Sequence, residues 1–287
     1  MRILIFGKNG QVGSSLMQRL GEDHEVRGLD QEDLDLVHLE QIRAAIDEFR
    51  PDWVINASAY TAVDRAESEA DLADAINHLA PAAMAEACAH HRCGFLHYST
   101  DYVFDGTADR PYLESDAPNP QSVYGRTKLA GEQAVMQAFP DSIILRTAWV
   151  YAGQGANFVN TMLRLADERD EVGVVADQFG SPTLADDLAA ASVEIVLGSS
   201  LDALERVAGI YHATGAGMTS WHGFAREVFD LAEKDVRLNA ITTEQYPTPA
   251  PRPHYSVLSN EKLQRVFGLA LPDWRQSLAR TLERAHG

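Results

Sequence analysis

The sequence predicts an α/β fold, a doubly wound parallel sheet with a smaller C-terminal lobe. Three observations carry that expectation. Short apolar runs alternate with longer amphipathic stretches through the first half, the pattern of parallel βαβ units with right-handed crossovers. A glycine-rich turn closes the first run and opens the first amphipathic stretch. At 287 residues and 45 % hydrophobic content, the chain has room for one large α/β unit with a smaller one attached.

Taken in order, strands are expected over residues 2–7, 25–29, 53–57, 94–99 and 143–147. Most are rich in Val, Ile, Leu or Phe, as strands covered on both faces must be. Helices are expected between them over residues 11–20, 39–49, about 67–91, and 124–138. Pro81 lacks an N–H, and its ring clashes with the carbonyl four residues back, so the third helix should kink or break near Ala80. The second half is less regular. Helices are expected over 157–168, 184–197, 220–234 and 272–285, with short strands at 172–175 and 210–213. Tyr246 to Pro253 has proline at every second position and should be an extended loop.

Charge narrows the range of functions. With 24 basic and 42 acidic side chains the net charge is −18, which opposes non-specific nucleic-acid binding. A nucleotide ligand stays open, because backbone amides at a helix N-terminus and one arginine suffice for a diphosphate. No run of 18 apolar residues is present to span a membrane. The first residues lack the apolar core of a signal peptide. Cys88 and Cys93 fit a reduced cytoplasm better than a disulfide framework. The expectation is an acidic, cytoplasmic protein.

Gly7-Lys-Asn-Gly10-Gln11-Val12-Gly13 follows the first strand and opens the first helix. Glycines there let the backbone turn tightly and approach a pyrophosphate, whose charge then faces the helix N-terminus. The spacing is GxxGxxG rather than GxGxxG, so a Rossmann-like dinucleotide site matches in context and not letter for letter; a ligand-free turn is the alternative. Asp30 ends the second strand, 20 residues after Gly10, where a carboxylate can accept from adenosine ribose hydroxyls. It could equally be a turn or cap residue, since Asp33 and Asp35 follow. Lys8 and Arg27 lie near enough to leave a 2′-phosphate open. Asn56-Ala-Ser-Ala59 closes the third strand with small residues, where a flat cofactor would cross the sheet edge. Residues 1–150 are therefore expected to form the NAD(P)-binding domain, joined by a segment within 184–240. Residues 151–287 should form mainly the substrate-binding lobe on the sheet's carboxyl edge. That boundary is soft, because 210–213 could pair back into the main sheet.

Tyr124 and Lys128 stand at i and i+4, on one face of a helix. A free phenol, with a pKa near 10, is a poor proton donor-acceptor at neutral pH, and a neighbouring ammonium favours the phenolate. The pair can make a tunable general acid, although Tyr-x-x-x-Lys is also common on solvated helices. His97-Tyr-Ser-Thr100-Asp101 ends the fourth strand, at the edge where doubly wound sheets bind ligands. Thr100 can donate to a substrate carbonyl oxygen shared with Tyr124, or it can simply cap.

These segments together are similar to the extended short-chain dehydrogenase/reductases, most closely to the dTDP-4-dehydrorhamnose reductase family. The likeness is carried by residues 6–13, 56–64, 98–106, 124–132 and 146–151. Asp177-Gln-Phe-Gly-Ser-Pro-Thr183 and the proline loop extend it to almost the whole chain. The resemblance implies hydride transfer from NADPH or NADH to the C4 keto group of dTDP-4-dehydro-L-rhamnose, giving dTDP-L-rhamnose. It implies Tyr124 as proton donor and Lys128 as its tuner. Thr100 takes the place that serine holds in many relatives. Gly10, Gln11, Val12, Asp30, Asp35, Leu36, Ala59, Tyr60 and Thr61 would line the cofactor, with Tyr124 and Lys128 beside it. Thr100, Asp101 and Trp149 would touch the sugar, and Arg252 would meet the diphosphate.

Other signals point elsewhere. His90-His91 and Cys88/Cys93 lack paired chelating spacing, so no metal is expected. Trp221, Phe224, Phe229 and Leu231 recur at near-helical spacing and read as core. The acidic run from Glu67 to Asp74 reads as a solvated helix face. Two alternatives share the fold. An epimerase or dehydratase would keep its NAD bound, but dehydratases of this kind place a glutamate after the Thr-Asp pair, and Tyr102 stands there. A non-catalytic regulatory subunit would have lost the Tyr or the Lys, and both are present. The expected partner is a small-molecule nucleotide sugar, with no nucleic acid or membrane, and a homodimer as a possible assembly.

Overall fold

The structure is a computed structural model that describes residues 1–21 and 23–286. The first half runs β1 (Arg2–Phe6), α1 (Gln11–Leu20), β2 (Glu25–Leu29), α2 (Leu39–Phe49), β3 (Trp53–Asn56), α3 (Val63–Ala66), α4 (Ala70–Asp74), a π turn (Ala75–Leu79), α5 (Ala80–His91), β4 (Gly94–Thr100), a 3₁₀ turn (Asp101–Val103), α6 (Val123–Ala138) and β5 (Ile143–Thr147). The second half runs β6 (Val150–Tyr151), α7 (Phe158–Glu168), β7 (Glu171–Val175), β8 (Phe179–Gly180), β9 (Thr183–Leu184), α8 (Ala185–Gly198), β10 (Gly209–His212), β11 (Thr219–Ser220), α9 (Trp221–Leu231), β12 (Arg237–Ile241), α10 (Glu261–Phe267) and α11 (Trp274–His286).

Alternation along each strand builds two apolar layers. Successive strand side chains point to opposite faces. Ile3, Ile5 and Ile55 accordingly pack with Leu16 and Leu20 of α1 and Leu188 and Ile195 of α8. Leu4, Phe6 and Val54 pack on the other face with Ile42 and Ile46 of α2 and Met84 of α5. Both faces are covered, and the inner strands accordingly read as continuous apolar runs, as in parallel sheets.

The main sheet has the order β10-β5-β4-β3-β1-β2, and every pairing in it is parallel. The chain winds from β1 outward to β2, then crosses to the other side of β1 for β3. That reversal opens a crevice at the carboxyl ends of β1 and β3, where open α/β sheets hold their ligands. After residues 148–208 the chain returns to pair β10 with β5, Gly209 against Ile143.

The second lobe is built around Phe224, Phe229, Trp274 and Leu278. Phe224 and Phe229 are core as their spacing predicts. Leu231 is 39 % exposed instead, because α9 ends there and its last turn leaves the lobe. Trp221 is partly buried against Trp149 rather than enclosed.

The expected break at Pro81 takes another form. The helix runs on from Ala70 to His91, and the π turn widens it by one residue just before the proline. The Ala80 N–H reaches back five residues to Ala75 O. Pro81 stands in the first turn of α5, where its missing N–H costs no bond, so the register can change there without disruption. Residues 67–69 belong to the connection before α4. Cys88 and Cys93 are both free and buried, and His91 is held by Asp47 and Arg50. Among the described residues, no helix is long and apolar enough to cross a membrane.

Candidate active site

The glycine turn is shaped by close backbone approach. Gly7 has φ +86°, and a Cβ there would lie 2.7 Å from the Ser58 amide nitrogen. A Cβ on Gly13 would lie 1.9 Å from Gly7 O, so the first turn of α1 sits directly on the loop. No side chain caps the N-terminus of α1, which leaves its first amides free for an anion. Gln11 Oε1 is buried without a protein partner. The turn fits a pyrophosphate.

Asp30 braces this turn as well as lining the space beside it. Its Oδ2 accepts from the Asn9 amide at 2.8 Å and its Oδ1 from the Gln31 amide at 2.8 Å. Each carboxylate oxygen keeps acceptor capacity for a ribose hydroxyl. Lys8 donates to Asp33 at 2.6 Å, and that bond holds the Asp33 carboxyl below its usual range. Arg27 pairs with Glu48 at 3.3 Å. Both cations near the ribose position are thus engaged with carboxylates.

The loop after β3 is held by the π turn. Asn77 is fully buried; its Oδ1 accepts from the Tyr60 amide at 2.8 Å, and its Nδ2 donates to Tyr60 O and to Thr127 Oγ1, both at 3.2 Å. The acidic run does more than face solvent. Glu69 accepts from the Tyr60 hydroxyl at 2.5 Å and from Arg65, and Glu67 accepts from the Val123 amide at 2.8 Å. Two of its carboxylates therefore anchor the elements around the crevice.

Helix α6 starts at Ser122, whose side chain accepts from the Gly125 amide at 3.1 Å. A Cβ at Gly125 would lie 2.3 Å from Tyr102 O, so the helix start is pressed against the 3₁₀ turn. This brings Tyr124 to Thr100 and Asp101. Burial pushes the Tyr124 phenol up to about 12; its hydrogen bond with Thr100 opposes the rise and the Asp101 charge adds to it. Burial likewise pulls the Lys128 ammonium down to about 8, with Glu132 opposing. Lys128 Nζ donates to Tyr98 O at 2.6 Å and faces His97 Nε2 at 3.2 Å. The expected lowering of the phenol by its helical neighbour is therefore not the balance found: desolvation dominates, and the lysine is bonded to β4. Thr100 also serves as a cap. Its Oγ1 donates to Asp101 Oδ1 at 3.0 Å and accepts from the Tyr102 amide at 3.2 Å. Burial pushes the Asp101 carboxyl up to about 6.

Trp149 lies at φ +48°, a conformation that a bulky residue adopts only under constraint. Its ring stacks on Trp221, with centroids 3.5 Å apart and planes 6° apart. A Cβ on Gly180 would meet the indole at 2.4 Å. The second lobe thus packs this ring from two sides.

The crevice is a cleft of about 930 Å³. It gathers Gly7, Gly10, Gln11, Val12, Asp30, Asp35, Leu36, Ala59, Tyr60, Thr61, Thr100, Asp101, Tyr124, Lys128 and Trp149 from both halves of the chain. Two expected residues do not line it. Gly13 lies beneath the turn. Arg252 is held in an ion pair with Asp64 at 2.9 Å, its guanidinium 6.0 Å from the Tyr102 ring. The proline loop carrying it is tied down because Asp64 also accepts from the Ala250 amide at 3.1 Å. Arg65 of α3, Leu72 of α4 and Ile76 of the π turn line the cleft too, and no motif marks them.

The family model described as "RmlD substrate binding domain" matches residues 1–286. The chain belongs to that family. Among RmlD-family relatives, it is 44 % identical to the dTDP-4-dehydrorhamnose reductase of Escherichia coli K12, over 98 % of this chain and 97 % of the relative. It is also 44 % identical to a protein of Streptomyces antibioticus named probable dTDP-4,6-dihydroxy-2-methyloxan-3-one 4-ketoreductase, over 97 % and 93 %. The solved dTDP-4-dehydrorhamnose reductase of Bacillus anthracis str. Ames, in complex with NADP, superposes with a TM-score of 0.93 at 36 % identity, covering 99 % of each chain.

Proposed function

We propose that this RmlD-family protein reduces the C4 keto group of dTDP-4-dehydro-L-rhamnose with NADPH or NADH, giving dTDP-L-rhamnose. The observation that carries the reading is that Tyr124, Thr100 and Lys128 meet in the cleft that the glycine turn opens. The two 44 %-identical relatives bear names that share a dTDP-linked keto sugar and reduction at its C4. The free amides of α1, the Asp30 carboxylate and the unpartnered Gln11 oxygen suit a dinucleotide.

The bound nicotinamide cofactor supplies the hydride. The chain supplies the rest. Tyr124 donates its proton to the C4 oxygen, and its raised pKa keeps that proton in place until charge develops there. The Thr100 hydroxyl, which donates to Asp101 in the free cleft, would turn its hydrogen to the same oxygen. Asp101 and Trp149 orient the sugar, and Arg252 turns from Asp64 to the diphosphate. Leu36, Ala59, Tyr60 and Thr61 flank the dinucleotide. In this reading residues 1–150, with the segment that returns to the sheet, hold the cofactor, and 151–287 hold mainly the sugar. Two unbridged cysteines support a cytoplasmic location.

The test is reduced-nicotinamide oxidation with dTDP-4-dehydrorhamnose, beside cofactor affinity by fluorescence. Tyr124→Phe should lower turnover by about 10²–10⁴-fold while cofactor binding survives. Near-normal turnover in that variant would overturn the proposal, as would cofactor binding without any turnover in the unmodified chain.

A further inference from the structure

Lys128 sits at the end of a chain of hydrogen bonds whose direction can be worked out from its far end. The Ser58 backbone N–H lies 3.1 Å from Asn56 Oδ1, and the Ser58 hydroxyl lies 2.5 Å from the same oxygen. A backbone N–H can only donate, so the Asn56 oxygen must face Ser58, and its NH₂ group must face the other way. There it meets His97 Nδ1 at 3.0 Å. An amide NH₂ can also only donate, so Nδ1 accepts. His97 is fully buried, and burial holds its pKa well below the usual histidine value, which keeps the ring neutral. A neutral imidazole whose Nδ1 accepts carries its hydrogen on Nε2. That hydrogen points at Lys128 Nζ, 3.2 Å away.

An ammonium has no lone pair, so a charged Lys128 would set donor against donor. A neutral amine accepts from Nε2–H while still donating to Tyr98 O at 2.6 Å. We infer that Ser58, Asn56 and His97 form a relay that disfavours the ammonium form of Lys128, with His97 the positioning residue that lowers the pH at which this lysine gains its charge. The relay's importance for turnover rests on the proposed reductase reading; its existence does not.

The other polar groups around Lys128 are engaged elsewhere. Glu132, one turn along α6, is bound by Arg146 of β5 at 2.8 and 2.6 Å. Tyr124 lies one turn back with a raised phenol. The Tyr98 hydroxyl is turned to Ser192 at 2.5 Å. Asp101, past the end of β4, is bonded by Thr100. On the π turn packed against α6, His78 pairs with Asp74 at 3.0 Å. The depressed Lys128 pKa agrees with the direction of the relay.

Nuclear magnetic resonance of the full chain, labelled with ¹⁵N at lysine and histidine, tests this without turnover. The Lys128 resonance is identified by its loss in Lys128→Arg. In the unmodified chain the His97 ring should show hydrogen on Nε2 and none on Nδ1, and Lys128 should titrate well below an ordinary lysine. In His97→Gln the side-chain amide can turn its oxygen to the lysine, so the Lys128 midpoint should rise by about one unit or more. Hydrogen on Nδ1, an ordinary lysine titration, or an unmoved midpoint in His97→Gln would each overturn the inference. The tautomer is read in the unmodified chain, so it remains decisive if His97→Gln does not fold. Failure of the reductase reading would show as absent turnover with these resonances as expected.

Discussion

A lysine amine buried in the cleft destabilises the fold over a defined pH window. The Lys128 pKa is near 8 in the folded chain against 10.5 for an ordinary lysine, so between those values the unfolded chain binds more protons. Stability should therefore rise with pH through that window, and the penalty is complete below about 8. At about 1.36 kcal/mol per unit it amounts to roughly 3 kcal/mol, less about 1 kcal/mol for the hydrogen bond to Tyr98 O. Lys128→Met should accordingly be more stable than the unmodified chain at pH 7 by about 2 kcal/mol, and the gain should shrink by pH 10. Denaturant unfolding at both values checks it; a gain that does not change with pH would rule the account out. At this scale the i, i+4 spacing of Tyr124 and Lys128 was legible in the sequence. The lysine's partners were not, because His97 lies 31 residues away and its tautomer depends on Asn56 and Ser58 across another strand. Arg252 was visible as a cation in a rigid loop, but its partner Asp64 is 188 residues distant.

The π turn shows what one irregular element does for the site. By shifting register before Pro81 it turns Asn77 inward, where that side chain clamps the Tyr60 backbone to Thr127 of α6. The fit is close: a Cβ on Gly131 would lie 2.1 Å from Asn77 O. Asn77→Ala would leave a buried donor and acceptor unpaired, at about 1–3 kcal/mol for each group left unsatisfied. It should lower the thermal midpoint and also weaken cofactor binding, because Tyr60 and Thr61 line the cleft. Loss of stability with unchanged cofactor affinity would show that the clamp serves packing alone. Proline announces an interruption in the sequence but does not say which kind, since a kink, a break and a π turn all spare the missing N–H. The strand β12 and the helix α10 gave weaker signals still. Arg237–Ile241 is mostly exposed, so its apolar pattern is faint, and Glu261–Phe267 is only seven residues long.

On the scale of the molecule, neither lobe is one stretch of chain. Helix α8 packs Leu188, Ile195 and Val196 into the layer beneath β1, and Arg19 of α1 is paired with Asp186 at 2.9 Å. From the other side Arg280 of α11 reaches Asp187 at 2.7 Å. A fragment of residues 1–150 would expose Leu16 and Leu20 and lack both β10 and α8. Each fully buried aliphatic side chain contributes about 1.5–3 kcal/mol, so the loss of three rivals the whole net stability of a domain, about 5–15 kcal/mol. The fragment should bind a hydrophobic dye and unfold without cooperativity, whereas the full chain should show a sharp transition. A cooperative transition in the fragment would sink the prediction. The parallel sheet was legible because alternating strands and helices dictate it. The return of β10 was only one of two open readings, since a four-residue strand does not declare which edge it joins.

Synthesis adds a delay that no folded coordinate displays. The ribosome finishes Thr147 well before it makes His212, the last residue of the strand that covers β5. At about 5–20 residues per second the intervening 65 residues take roughly 3–13 s. Through that interval the rim of β5 is unpaired, and until α8 is made the face of α1 that it covers is in water, both available to a chaperone or to another nascent chain. Both sides of the gap must also be brought together across a long loop, which slows closure further. The return strand therefore acts as a clock: the nucleotide cradle is coded first, yet it can become rigid only after the first part of the second lobe has been made.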